Sequence, residues 1–310
     1  MQMEDRKISA YDILIITGPT ASGKTSLAVA LAYRLNGEII SADSRQVYKG
    51  MTLGTGKDYS EYFICGKQIP CHLIDIASPG YKYNVFEYQS DFIRVYYDLK
   101  ERGVLPVVCG GSGMYVDSII TGYKMVEVPP DSGLRSALEK KTMQELIDIL
   151  STYKKLHNKT DLDTKKRMIR AIEIEHHSTI KTGYKTRFPE LKPVIIGVKY
   201  EREARRRRIT ERLNQRLSEG MIDEVRKLMD DGLRVEDLIY YGLEYKYITL
   251  YLTGKSPYDV MIRDLEIAIY QFAKRQMTWF RGMERKGVRI HWLEGEAPLE
   301  EKVECVMKLL

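Results

Sequence analysis

Short apolar runs at Asp12–Thr17, Glu38–Ser41, His72–Ile76 and Leu105–Cys109 predict β-strands. Between them, Lys24–Leu35 and Val85–Arg102 repeat apolar positions at helical spacing, the alternation expected of crossover units in a parallel sheet. The second helix has marked ends: Asn84 with Glu87 forms a capping box, and Gly103 stops it. Beyond the Gly110–Gly113 turn the pattern changes. Tyr123–Pro130 is loop-like, then Leu134, Leu138, Leu146, Ile147 and Leu150 recur at helical spacing, and Thr164–His177 is helical with no strand between. This predicts an all-helical lobe, residues 123–192, inserted into an α/β core of residues 1–122 and 193–310. Val194–Lys199 returns to the sheet, followed by helices at Glu203–Gly220, Ile222–Asp231 and Pro257–Gly282 and a last strand at Val288–Leu293.

With 310 residues the chain exceeds one modal domain, which agrees with a core plus an insertion. Its 44% hydrophobic and 30% charged residues are ordinary for a globular protein, so disorder is expected only at the termini. Met1–Ala10 is charged without an apolar leader segment, and no apolar run approaches the roughly 20 residues of a membrane helix, so a cytoplasmic protein is expected. A monomer is the default expectation. Cys65, Cys71, Cys109 and Cys305 lack zinc-type spacing and read as reduced thiols. The net charge of +6 is moderate, but basic residues crowd into Lys165–Arg170, Arg202–Arg216 and Lys274–Arg289. Such clusters are either solvated helix faces or the footprint of a polyanion.

The chemistry starts at Gly18, Pro19, Thr20, Ala21, Ser22, Gly23, Lys24 and Thr25, a phosphate loop set between a predicted strand and helix. Its backbone N–H groups and the helix N-terminus converge on phosphate oxygens, Lys24 adds a cation, and the Thr25 hydroxyl can ligate Mg²⁺. The sheet is therefore expected to be of the P-loop NTPase-like kind, gripping a diphosphate or triphosphate. In open parallel sheets ligands sit beyond the carboxyl ends of the strands. Asp43, in Ser41–Tyr48, follows one such strand and has three open roles, orienting water on Mg²⁺, taking a proton from a nucleophile, or simply capping its own loop. Ser112 follows another, in a small-residue turn. Asp75 closes the predicted His72–Ile76 strand and is a second metal candidate. Arg208 and Arg212, four apart on a helix, share a face able to clamp a leaving diphosphate. Lys166, Arg167 and Arg170 share a stripe of the lobe.

These segments together, with Gly54–Lys57, His72–Ile76, Gly110–Tyr115, Arg167–Ala171 and Ala273–Arg281, resemble the tRNA dimethylallyltransferases, in order and over nearly the whole chain. The resemblance implies transfer of the dimethylallyl group from dimethylallyl diphosphate to N6 of the adenosine 3′ to the anticodon of tRNA. It implies Asp43 as general base, Asp43, Ser44, Arg45 and Gln46 around the flipped base, and Ser112 where the family usually has threonine. Lys24 with Arg208 or Arg212 would stabilise the departing diphosphate, with Mg²⁺ as cofactor. The anticodon stem-loop would meet Arg135, Lys166, Arg167, Met168, Ile169 and Arg170. Departures from the family pattern are Gly54-Thr-Gly-Lys-Asp58 for Gly-Thr-Ala-Lys-Pro, Lys166 for glutamine, and Tyr241–Tyr245 for a Gly-Tyr-Lys/Arg pattern. The competing readings are an adenylate isopentenyltransferase acting on free AMP or ATP, a small-molecule kinase, and an RNA-binding module without catalysis.

Overall fold

A computed structural model of the chain describes residues 11–123, 127–155, 162–180 and 188–310. The expected disorder of Met1–Ala10 falls outside them, as do residues 124–126 of the expected loop. Two compact units are present, Met1–Gly122 with Pro189–Leu310, and Tyr123–Phe188.

The first unit is built on β1 (Ile13–Thr17), β2 (Gly37–Ser41), β5 (Cys71–His72), β6 (Leu105–Gly110), β7 (Pro193–Lys199) and β8 (His291–Glu294). They form one parallel sheet in the order β5-β2-β6-β1-β7-β8. The central strands β1 and β6 are apolar and almost wholly buried, as parallel strands covered on both faces must be. A small hairpin, β3 (Phe63–Ile64) with β4 (Lys67–Gln68), stands apart from the sheet. Helix α1 (Lys24–Arg34) contributes Leu27, Leu31 and Ala28 to a core shared with Leu14, Ile16, Val107, Val198 and, from α12 (Leu299–Met307), Val303 and Val306. Helix α2 (Val85–Glu101) starts at the expected capping box: Asn84 accepts the Phe86 and Glu87 N–H groups, and Glu87 returns the bond to the Asn84 N–H. The remaining helices of this unit are α3 (Gly113–Thr121), α7 (Arg202–Ser218), α8 (Met221–Asp230), α9 (Val235–Tyr240), α10 (Leu243–Leu252) and the long α11 (Tyr258–Arg285).

The strand expected over His72–Ile76 ends at His72. Leu73 and Asp75 take φ of 62° and 54°, in the left-handed region, which no strand can continue through. Their segment instead pairs with the chain after β2: the Asp75 N–H donates to Gln46 O at 3.2 Å and the Ala77 N–H to Val47 O at 2.9 Å.

The second unit holds α4 (Ser132–Glu139), α5 (Met143–Tyr153) and α6 (Lys165–Ile180). Asp131 caps α4 by accepting the Leu134 N–H, and Thr142 with Glu145 forms a capping box that starts α5. Leu138, Leu146, Leu150, Met168 and Ile172 pack as its core.

Candidate active site

The phosphate loop leaves β1 at Gly18, where a Cβ would meet the Val198 carbonyl oxygen at 2.5 Å, so the close approach of β7 admits only glycine. Ala21 and Gly23 take left-handed φ of 60° and 72°, which turns the chain into α1 at Lys24. Three side chains hold the loop's backbone. The Thr20 N–H donates to Gln276 Oε1 at 2.9 Å, and Gln276 Nε2 donates to the Gly111 carbonyl at 2.8 Å. Arg208 Nε donates to the Ala21 carbonyl at 2.9 Å, and Lys24 Nζ to that of Pro19 at 3.4 Å. Burial pushes the Lys24 ammonium below its ordinary pKa, and the Asp43 carboxylate is among the negative groups that oppose the shift. Ser22 Oγ is buried without a hydrogen-bond partner among the described residues, a hydroxyl able to donate to a ligand oxygen.

Strands β2 and β6 are neighbours, which places the loops after them side by side. A Cβ on Gly110 would lie 2.1 Å from the Ala42 carbonyl oxygen, so the two loops touch backbone to backbone. Asp43 Oδ1 accepts the Arg45 N–H at 2.8 Å. Ser112 Oγ accepts the Ser44 N–H at 3.0 Å and donates to Ser44 Oγ at 3.3 Å, so it holds the loop that carries Asp43. Gln46 Oε1 accepts from Ser41 Oγ at 3.2 Å while Nε2 donates to the Gly56 carbonyl at 3.0 Å.

A cavity of about 1280 Å³ is lined by the phosphate loop from Thr20 to Thr25, by Asp43–Gln46 and Ser112, and by Arg208 and Arg212 of α7. Arg216, one further turn along α7, lines it as well. Arg212 Nη2 donates to Asp58 Oδ2 at 2.6 Å and Arg216 Nη2 to the same oxygen at 3.2 Å. Burial would raise the Asp58 pKa, but the two guanidinium groups prevail and hold it below the ordinary value. Arg216 is only 8% exposed, and burial lowers its pKa. Arg208 lies over the Tyr200 ring with its guanidinium carbon 4.7 Å from the centroid.

Of the residues expected at the site, Asp75 is placed elsewhere. Its carboxylate accepts from Lys57 Nζ at 2.5 Å and from the Tyr59 hydroxyl, and it does not line the cavity. The left-handed backbone that ends the strand turns it toward Lys57. In the lobe, Lys166 and Arg167 are exposed. Arg135 donates to the buried Glu173 through Nε and Nη2 at 2.9 and 2.7 Å, and Arg170 pairs with the same carboxylate. Met168 and Ile169, expected at the RNA, have their side chains buried in the lobe's core, packed against α4 and α5. Sequence reasoning missed Gln276, Arg216, Asp58 and also Glu224, whose carboxylate accepts the N–H groups of Thr52, Leu53 and Gly54 at 2.9, 2.7 and 3.1 Å. Among the described residues no group of three His, Cys, Asp or Glu side chains could hold a metal ion, and no helix is long and apolar enough to cross a membrane.

Residues 46–283 match the family model described as IPP transferase, and residues 11–69 match that of isopentenyl transferase. The chain is 59% identical over 300 residues to tRNA dimethylallyltransferase 2 of Bacteroides fragilis, covering 97% of this chain and 98% of that protein. It is 56% identical over 309 residues to tRNA dimethylallyltransferase 1 of Parabacteroides distasonis, with 98% and 99% covered. Among solved structures, the tRNA isopentenylpyrophosphate transferase of Bacillus halodurans superposes with a TM-score of 0.69 at 33% identity, covering 96% of this chain and 95% of that one. A eukaryotic dimethylallyltransferase acting on tRNA, at 21% identity and a TM-score of 0.73 over 91% and 73% of the two chains, shares the fold. The chain belongs to the IPP transferase family, that of the tRNA dimethylallyltransferases.

Proposed function

We propose that this protein transfers the dimethylallyl group of dimethylallyl diphosphate to N6 of the adenosine 3′ to the anticodon in tRNA. One observation carries the reading beyond the family: a phosphate-gripping loop and the Asp43 carboxylate line the same cavity. The phosphate loop, Lys24 and Arg212 hold the diphosphate end of the donor. The N6 lone pair is conjugated into the adenine ring and is a weak nucleophile, so a carboxylate that accepts the N6 proton as the bond forms lowers the barrier. The allylic carbon–oxygen bond breaks, the carbon–nitrogen bond forms, the proton goes to Asp43, and the electron pair leaves with the diphosphate. Lys24 and Arg212 stabilise the charge that builds on that leaving group. An adenine within a stacked anticodon loop cannot reach such a cavity, so the base has to be extruded from the stack.

Mg²⁺ fits the residues present. Mg²⁺ takes most of its ligands from water and substrate phosphates, so the Thr25 hydroxyl in the phosphate loop suffices without a cluster of acidic residues. When bound, it neutralises charge on the diphosphate. Thr25 would hold it; Asp75, tied to Lys57, would not.

The test is mass analysis of nucleosides after incubating the protein, Mg²⁺ and dimethylallyl diphosphate with unmodified tRNA. The expected product is N6-dimethylallyl adenosine at one position of the anticodon loop. Turnover of free AMP with none of tRNA refutes the assignment of the acceptor.

A further inference from the structure

At the Asp43 side of the cavity stand side chains that the reaction above does not use. Tyr240, the last residue of α9, keeps 37% of its surface open, and its neighbour Ile239 is also exposed. Both line the cavity. The Arg45 guanidinium carbon lies 5.2 Å from the Tyr240 ring centroid, and Lys82 Nζ lies 5.5 Å from it. The Arg45 backbone N–H is bonded to Asp43 Oδ1, so the loop that carries the proposed base also carries the arginine beside this ring.

The ring is held in place from behind. Tyr241 packs edge-on against Tyr240 at 5.6 Å between centroids and against buried Tyr48 at 4.5 Å. Its hydroxyl accepts the Gly80 N–H at 2.6 Å and donates to the Tyr81 carbonyl at 3.0 Å. Lys82 keeps its side chain 60% exposed, with Asp237 3.9 Å away. An open aromatic at a fixed position, flanked by an arginine and a lysine, is what sites for unpaired RNA use: bases stack on the ring and phosphates meet the cations.

We propose that Tyr240 is a stacking platform for an unpaired nucleobase adjacent to the acceptor adenine, with Arg45 and Lys82 meeting the flanking phosphates. The inference rests on the reading of an RNA loop as acceptor. Stacking is sequence-tolerant, so this platform positions the loop while the contacts around Asp43 select the base.

The experiment compares wild type, Tyr240→Phe and Tyr240→Ala for affinity to an unmodified anticodon stem-loop RNA without donor, and for donor KM at saturating RNA. Loss of one base stack weakens RNA binding about tenfold in Tyr240→Ala, whereas Tyr240→Phe stays within about twofold of wild type. The donor KM is unchanged in both. Wild-type affinity in Tyr240→Ala, or an equal loss in the phenylalanine variant, overturns the proposal. Because binding is read without donor, a wild-type protein that binds the RNA yet forms no prenylated nucleoside sinks the proposed function while the Tyr240 comparison still decides the platform. An RNA that wild type does not bind overturns both.

Discussion

Gln276 Oε1 accepts the Thr20 backbone N–H at 2.9 Å across 256 residues of sequence, and Gln276 Nε2 donates to the Gly111 carbonyl at 2.8 Å. One buried amide thereby ties the phosphate loop to the turn that leads to Ser112. Gln276→Ala leaves the Gly111 carbonyl without this donor, a cost of about 1–3 kcal/mol. It should lower kcat/KM for dimethylallyl diphosphate about tenfold or more, since a misplaced group of about 1 Å costs up to about a hundredfold. Thermal unfolding together with donor kinetics checks both; unchanged kinetics in a destabilised variant would show the amide to be structural only.

Asp43→Asn keeps the shape of the side chain and the acceptor for the Arg45 N–H, but gives up the basic oxygen. The expected outcome is RNA affinity close to wild type with kcat reduced by about a hundredfold or more, the range of general-base loss. Single-turnover prenylation with preformed complex measures the chemical step alone. Turnover at the wild-type rate excludes Asp43 as base.

Asp58 is the shared acceptor of Arg212 and Arg216. Asp58→Asn removes the counter-charge of a guanidinium that is 8% exposed. Destabilisation of about 1–3 kcal/mol is expected, less than the ~3–5 of a fully buried pair because Asp58 remains partly open to water. Arg212 also loses the partner that orients it toward the cavity, so the donor KM should rise several-fold with kcat much less affected. A denaturant melt with donor titration separates the two effects; a variant as stable as wild type contradicts the counter-charge role.

What the sequence made legible was local. The strand, glycine turn and helix around Lys24 are contiguous, and so is the Asn84–Glu87 box; each is decided by neighbours within a few residues. The strand through Asp75 was misread because its apolar run looks extended, whereas its backbone is set by pairing with Gln46 and Val47. Gln276 lies within a segment that carries the resemblance and Asp58 at a departure from it, yet their partners are 256 and 154 residues distant, beyond any periodicity. Met168 and Ile169 lie between basic residues in sequence, but helical spacing turns them inward while Lys166 and Arg167 face out.

Glu38 supplies an acid-sensitive tie at the edge of the sheet. Its two oxygens accept from Arg102 Nη1 and Nη2 at 2.7 and 2.8 Å, and His72 Nε2 lies 2.7 Å from Oε2, so β2, the end of α2 and β5 meet on one carboxylate. Hydrogen bonds from Arg102, aided by His72 and opposed by burial, depress its pKa from 4.5 to about 2. A carboxylate whose folded pKa lies below its unfolded one contributes stability that is complete above the unfolded value and is lost as pH falls toward the folded value. Glu38→Gln should therefore lower the Tm by a few degrees near neutrality, and the gap to wild type should close as the pH drops from about 4.5 to about 2. Melting curves of both proteins across that interval decide it: a gap that persists undiminished at the acid end means that the side chain acts through packing, not through its charge.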